Sequence, residues 1–478
     1  MKVLFAASEA VPFVKTGGLA DVSGALPAAL KDLGVDVRVF LPFYNRLVDE
    51  KARLIECAPG IYEAEVNGVR FYFIRNDAYF DREGLYGNPD CDYADNLERF
   101  AFFSRATLEA TKALEFRPDV IHCNDWQTGL IPAYLRDSFK RDPFFKSTAT
   151  LFTVHNLAFH GFGTIEAYPE TGLSPEFLSP DGLEFYGRVS QLKSGLSFSD
   201  VITTVSETYA KEIRTPELGF GLDGLLNHRS DSLFGVLNGV DVERWNPARD
   251  PDIAASYSSN DLAGKKKCKE ALLREFKLEI DPDAPLIGVV SRLTEQKGWE
   301  LFMEAEKEIT ALDFSLALLG TGDKKMEEYF TGLARRFPKR VSARICYDER
   351  LAHMVEAGAD IFLMPSRYEP CGLNQIYSLI YGTVPIVRAT GGLNDTVRDV
   401  SEERANGFKF ADFSAAALVA KLAEATSLFK CDKSAWQKLS LSSMDEDFSW
   451  TKPARRYAEL YATSSSRLLN NKAPNPQG

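Results

Sequence analysis

The chain has 478 residues, 45% of them apolar, 26% charged and 12% aromatic. That is the balance of a folded enzyme of two or three domains, not of a disordered or fibrous protein. Its 56 Lys+Arg against 68 Asp+Glu leave a net charge of -12, so its field repels nucleic acid and anionic membrane and favours a neutral or locally captured substrate.

Residues 3–7 already read as a buried strand, which leaves no room for a signal or transit peptide. No apolar run approaches the roughly 18 residues of a membrane helix. Seven scattered cysteines (Cys57, Cys91, Cys123, Cys268, Cys346, Cys371 and Cys431) make neither a C-x-x-C pair nor a zinc spacing. A soluble cytoplasmic protein in a reducing compartment is expected, with a plastid open if a transit peptide has been removed. Further short apolar runs at 35–41, 120–122, 150–154 and 201–205 read as parallel strands, with helical spacing at 21–33 and 96–114. The pattern repeats at 286–290, 316–319, 341–345, 361–364 and 384–387. The fold class is therefore α/β, with two doubly wound domains. Residues 240–262 read as a polar, breaker-rich connection, Lys265-Lys266-Lys267 as a solvated helix start, and 463–478 as a frayed tail.

Most loops at strand ends carry chemistry. Lys15-Thr16-Gly17-Gly18 follows the first strand and precedes a helix, where glycines admit a ligand to the backbone and a lysine adds a charge for phosphate. His122 to Gly129 and Thr153 to Leu157 place Asp125 and His155 at strand ends, suited to sugar hydroxyls. Trp126 either packs on a sugar face or belongs to the core. His122 and His160 have no carboxylate or thiol at metal spacing, so no metal is expected. Gly219-Phe220-Gly221-Leu222-Asp223-Gly224 is a literal G-x-G-x-x-G, but it follows a helical, Pro-broken stretch instead of a strand and is set aside.

In the second half, Arg292 and Lys297 sit five apart after a strand and suit a diphosphate. Glu369, between Arg367-Tyr368 and Pro370-Cys371-Gly372-Leu373, sits at a helix entrance. Thr390-Gly391-Gly392 opens another helix, with backbone N–H groups available to phosphate oxygens.

Taken in order, these segments, with Ser8-Glu9 and Asn238-Gly239-Val240-Asp241, resemble the bacterial glycogen synthases and plant starch synthases over nearly the whole chain. The resemblance implies the GT-B fold, two Rossmann-like domains facing across a deep cleft. The first spans 1–245, joined by the C-terminal helix from about 453, and serves acceptor and catalysis. The second, 246–452, binds the nucleotide sugar. It implies retaining transfer of glucose from ADP-glucose to the 4-hydroxyl at the non-reducing end of an α-1,4-glucan, glycogen or a maltooligosaccharide, with no cofactor. By the same resemblance Lys15, Gly17, Gly18, Asn238, Arg292, Lys297, Tyr347, Glu369, Gly372, Leu373, Thr390, Gly391 and Gly392 meet the donor, with Tyr347 on the adenine. Glu369, His155, Asp125, Arg292 and Lys297 carry the catalysis. Many retaining GT-B enzymes that use UDP- or GDP-sugars carry a second glutamate eight residues after the first, where this chain has Tyr377, which sets it apart from sucrose synthase-like relatives. A nucleotide-sugar epimerase on the same fold and a silent polysaccharide-binding protein are the alternatives.

Overall fold

Parallel strands buried on both faces need nearly continuous apolar sequence, and a sheet of them needs crossovers through helices. The computed structural model, which describes residues 1–46, 54–88, 91–279, 281 and 283–472, has two such sheets. Internal packing divides the chain into one unit of Met1–Gly239 with Trp450–Gly478 and another of Val240–Ser449.

The first unit's sheet runs, in spatial order, Leu233–Gly235, Val201–Thr204, Ala149–Val154, Val120–Asn124, Lys2–Ala6, Asp36–Pro42, Val69–Ile74, Ile61–Val66 and Ile55–Ala58. Val69–Ile74 and Leu233–Gly235 lie beyond the strands expected from sequence, as do the last two strands, which are antiparallel. Their apolar signal is weak, since Ile55–Ala58 is an exposed edge. Asn67-Gly68, both at positive φ (52° and 71°), forms the tight turn joining the two longer strands, as such pairs do in hairpins. Chain order reverses between Lys2–Ala6 and Val120–Asn124, which pair in parallel. In open α/β sheets this switch point is where loops at the carboxyl ends part and leave a crevice.

The helix Thr451–Lys472 packs on this unit through Ala454, Tyr457, Leu460 and Tyr461, all buried. The tail expected to fray from 463 is helical to 472, and 473–478 lie outside the described residues. Arg467 fastens it by donating to Ser232 Oγ and to the Asp231 carbonyl. Tyr461 also meets His122 Nδ1 at 2.8 Å, while His122 Nε2 meets Thr153 Oγ1 at 2.7 Å, so His122 is a satisfied core residue.

The second unit's six parallel strands run Val341–Arg344, Ser315–Leu319, Leu286–Val290, Ile361–Met364, Val384–Arg388 and Phe408–Phe410. Numbered within the unit the order is 3-2-1-4-5-6, that of a Rossmann sheet. Its switch point lies between Leu286–Val290 and Ile361–Met364, which pair in parallel.

Two expectations are corrected here. Residues 240–262 are not a loose connection, and 240–245 belong with the second unit. Trp245 stacks on His353 and Tyr377, and the buried Asp250 carboxylate accepts from His353 Nδ1 (2.7 Å), Tyr381 OH (2.5 Å) and Asp252 N (2.8 Å). Lys265 is not solvated either. Its ammonium donates to the carbonyls of Ala357 (3.1 Å) and Tyr381 (2.9 Å) and to Thr383 Oγ1 (2.7 Å), and burial pulls its pKa down to about 8. Lys266 and Lys267 are exposed. Replacing Asp250 by alanine strands buried donors, so the second unit is expected to lose on the order of 3 kcal/mol. A melting curve checks this, and an unchanged midpoint contradicts it.

Candidate active site

The switch points decide which loops meet. In the second unit, the loop after Leu286–Val290 carries Arg292 and Lys297, and the loop after Ile361–Met364 carries Glu369. Lys297 Nζ donates to Glu369 Oε2 at 2.5 Å, and Ser366 Oγ donates to the same oxygen at 3.1 Å. The two side chains are 15% and 7% exposed, so each charge compensates the other where neither is freely hydrated. Gln296 links the loops, taking Arg292 Nη2 on its Oε1 (3.2 Å) and donating to the Tyr368 carbonyl (3.4 Å). Arg292 is exposed, its carbonyl accepting from Trp299 Nε1 at 3.3 Å. Gly298, at φ 71°, ends this loop where a side chain would meet the Pro365 carbonyl.

Gly391 and Gly392 have a role the sequence reading did not give them. A Cβ on Gly391 would lie 1.9 Å from the Glu369 carbonyl oxygen, and one on Gly392 1.9 Å from that of Cys371. The Gly392 N–H is donated to the carbonyls of Glu369 (3.1 Å) and Pro370 (3.2 Å). This N–H, expected to meet phosphate, is thus spent on holding the Glu369 loop, and the glycines are required by close backbone approach. Thr390 is fully buried beside them. Gly372 has φ 70°, and Leu373 precedes the helix Asn374–Ile380, whose Gln375 Nε2 donates to the carbonyls of Cys371 and Gly372. Tyr347 stands 74% exposed after the strand Val341–Arg344, an open aromatic face.

In the first unit, the switch-point loops carry Glu9 to Gly18 and Asp125. Lys15 Nζ pairs with Asp21 Oδ1 at 2.7 Å. Gly17 is extended, with nothing within 4 Å of a Cβ placed there, and Gly18 starts the helix Gly18–Asp32. The residue that shapes this loop is Glu9, which entered from sequence only as a marker of the family resemblance. Buried Glu9 accepts from Thr16 N (2.5 Å), Gly17 N (3.3 Å) and Thr16 Oγ1 (2.9 Å) on one oxygen, and from Tyr86 OH (3.3 Å) on the other. Burial raises its pKa against those hydrogen bonds.

Asp125 Oδ1 accepts from the His155 backbone N–H at 2.7 Å, and His155 Nε2 meets Asn124 Oδ1 at 3.0 Å. Burial lifts Asp125 to about 7 and drops His155 to about 3, so the imidazole is neutral at pH 7. Asp125 also has φ 56° and ψ −176°, a region of left-side backbone space that is essentially glycine's and costs a side-chain residue on the order of 1–3 kcal/mol. Trp126 is core: it packs edge-on to Phe100 at 4.8 Å, and Gly161 abuts its ring. Asn238 is buried, its Oδ1 without a hydrogen-bond partner among the described residues. The stretch 219–224 follows the helix Glu207–Glu212 and turns, with no strand before it, as expected of a decoy.

Comparison with known proteins separates the alternatives. The family described as "Starch synthase catalytic domain" matches residues 2–228, and "Glycosyl transferases group 1" matches 273–433. The glycogen synthase of Syntrophotalea carbinolica is 45% identical, covering 96% of this chain and 98% of its own. That of Koribacter versatilis is 46% identical with the same coverage. The chain belongs to the glycogen synthase family. The catalytic domain of starch synthase IV from Arabidopsis thaliana, solved bound to ADP and acarbose, superposes with a TM-score of 0.89 at 34% identity, covering 97% of this chain and 99% of that one. A sucrose-phosphate synthase from Thermosynechococcus elongatus, 18% identical with a TM-score of 0.61 over 97% of this chain and 98% of its own, shares the fold alone. Both units therefore carry the Rossmann-like architecture of GT-B glycosyltransferases, and nothing in these relatives supports an epimerase.

The raised pKa of Asp125 fixes a sign. The folded state holds this proton up to about pH 7, while the unfolded carboxyl releases it near pH 4. Folding therefore loses stability at this site as pH rises from about 4 to 7. Asp125→Asn keeps an acceptor for the His155 N–H and removes the titration. Its melting temperature relative to wild type is expected to rise across that window, and a constant difference contradicts the assignment.

Proposed function

We propose that this glycogen synthase family member transfers glucose from ADP-glucose to the non-reducing-end 4-hydroxyl of an α-1,4-glucan, glycogen or a maltooligosaccharide, with retention of the α configuration. The observation carrying the reading is the Lys297–Glu369 pair at the second unit's switch point. The ADP and acarbose bound to the 34%-identical starch synthase support the donor and glucan classes.

Arg292 and Lys297 hold the diphosphate, Lys15, Gly17 and Gly18 contact the donor, and Tyr347 stacks on the adenine. Glu369 contacts the transferred glucose, in a loop shaped by Gly372, Leu373, Thr390, Gly391 and Gly392, and Asn238 offers its unpartnered oxygen to a hydroxyl. The bond from the anomeric carbon to the diphosphate oxygen breaks with its electron pair, releasing ADP. The acceptor oxygen bonds that carbon on the same face, and its proton passes to the departing diphosphate. Such a transition state needs cations at the leaving group and negative or dipolar groups at the sugar. Arg292 and Lys297 supply the first; the His155 carbonyl supplies the second, beside an imidazole whose neutrality adds no repulsion. A carboxyl poised near pH 7, as Asp125 is, both accepts from and donates to sugar hydroxyls. The reaction uses no cofactor beyond the nucleotide sugar. Among the described residues no helix is long and apolar enough to cross a membrane. Bacterial relatives favour a cytoplasmic setting and give a plastid no support.

Glu369→Gln and Lys297→Ala each remove half of the pair. Each is expected to lower kcat by on the order of 100-fold or more; Glu369→Gln keeps an acceptor for Lys297 and stays folded, whereas Lys297→Ala leaves the Glu369 carboxylate unpaired and also lowers the melting temperature. Labelled transfer into glycogen reads this, and a folded, fully active Glu369→Gln overturns the site assignment.

A further inference from the structure

One buried cluster of the second unit has no part in the chemistry above. Trp245 lies flat between two rings, 3.8 Å from His353 at 7° and 3.7 Å from Tyr377 at 9°. His353 is fully buried and fixed by Asp250, whose Oδ2 also takes the Tyr381 hydroxyl. Arg244, next to Trp245, pairs with Asp252 at 2.8 Å and Glu349 at 3.3 Å. Asp250, Asp252 and His353 lie close enough together to suggest a metal site. Their charges are already met by two proton donors and a guanidinium, so they read as an anchor.

The anchor grips one short helix. Tyr377 sits within Asn374–Ile380 and Tyr381 caps its end, so the stack and the Asp250 carboxylate hold the same helix one turn apart. At its start, Asn374 Nδ2 donates to the Val290 carbonyl (2.5 Å), at the end of the strand leading to Arg292. Gln375 Nε2 donates to the carbonyls of Cys371 (3.0 Å) and Gly372 (2.9 Å), in the Glu369 loop. The helix thus has the donor-site loops at one end and the Trp245 anchor on its flank and far end. A flat stack constrains two planes and their spacing, which an aliphatic contact does not.

We propose that Trp245 is a positioning residue for glucose transfer: stacked on Tyr377, it fixes the helix Asn374–Ile380 and through it the loop that presents Glu369. The proposal rests on the role given to Glu369 above. It accounts for an aromatic residue at 377, where a charged side chain has no ring to offer Trp245. Misplacing a reacting group by about 1 Å costs on the order of 100-fold in rate, so a small loosening of this stack is felt in kcat.

The test uses the full chain, with ADP-glucose and glycogen. Trp245→Ala removes the ring, Trp245→Leu keeps an apolar contact without the plane, and Trp245→Phe restores a plane. Trp245→Ala and Trp245→Leu are expected to lower kcat about tenfold with donor KM within about twofold, and Trp245→Phe to recover most of it. Placed on Glu369→Gln, Trp245→Ala is expected to cost less than about twofold more, because the group it positions is gone. A structural defect alone gives the full tenfold loss again. Wild-type kcat in folded Trp245→Leu, or full additivity with Glu369→Gln, overturns the positioning role. Full activity of Glu369→Gln by itself overturns the underlying site assignment instead.

Discussion

A lysine and a glutamate 72 residues apart in the chain meet at 2.5 Å in the second unit, and the chemistry proposed for this protein depends on that meeting. Neither charge is stable alone where it is, because both side chains are largely withdrawn from water. Together they hold an ammonium and a carboxylate in one small space, one suited to a leaving diphosphate and the other to the sugar it leaves. What brings them together is topology. Parallel strands with right-handed crossovers place every carboxyl end on one edge of the sheet, and reversal of strand order parts the loops there.

The first unit follows the same rule with different groups. Its switch point joins the Glu9 to Gly18 loop and Asp125, and the next strand delivers His155. Burial then sets the protonation states, a neutral imidazole and a carboxyl poised near neutrality. The strained backbone at Asp125 is maintained because neighbouring hydrogen bonds over-determine it, and residues so held cluster where function requires them. Glu9 gives the Lys15 loop its shape, so the glycine loop is a built object and not merely a permissive one.

Much of this was legible in the sequence, and what was not has a physical reason. Buried parallel strands announce themselves as apolar runs, so most strands of both sheets and the loops bearing Lys15, Asp125, His155, Arg292, Lys297 and Glu369 could be placed by inspection, although Val69–Ile74, Leu233–Gly235 and Phe408–Phe410 were not among them. The antiparallel edge strands could not, because an exposed edge such as Ile55–Ala58 has no apolar face to repeat. Residues 240–262 read as a linker because proline, asparagine and aspartate punctuate turns. The buried Asp250 gains its meaning from His353 and Tyr381, over a hundred residues away. Lys265 looked solvated for the same reason, its acceptors being carbonyls that no sequence pattern displays. Gly391 and Gly392 were seen as important, but only the structure shows that they make room for the Glu369 loop.

The claim at the centre of the account is that the protein's own cations neutralise the departing diphosphate of ADP-glucose. The most direct measurement is incorporation of labelled glucose into glycogen from ADP-glucose and, in parallel, from UDP-glucose, each in excess EDTA. The account predicts sustained incorporation from ADP-glucose, undiminished by the chelator and well above that from UDP-glucose. Incorporation that requires added magnesium, or that proceeds from UDP-glucose alone, would contradict it.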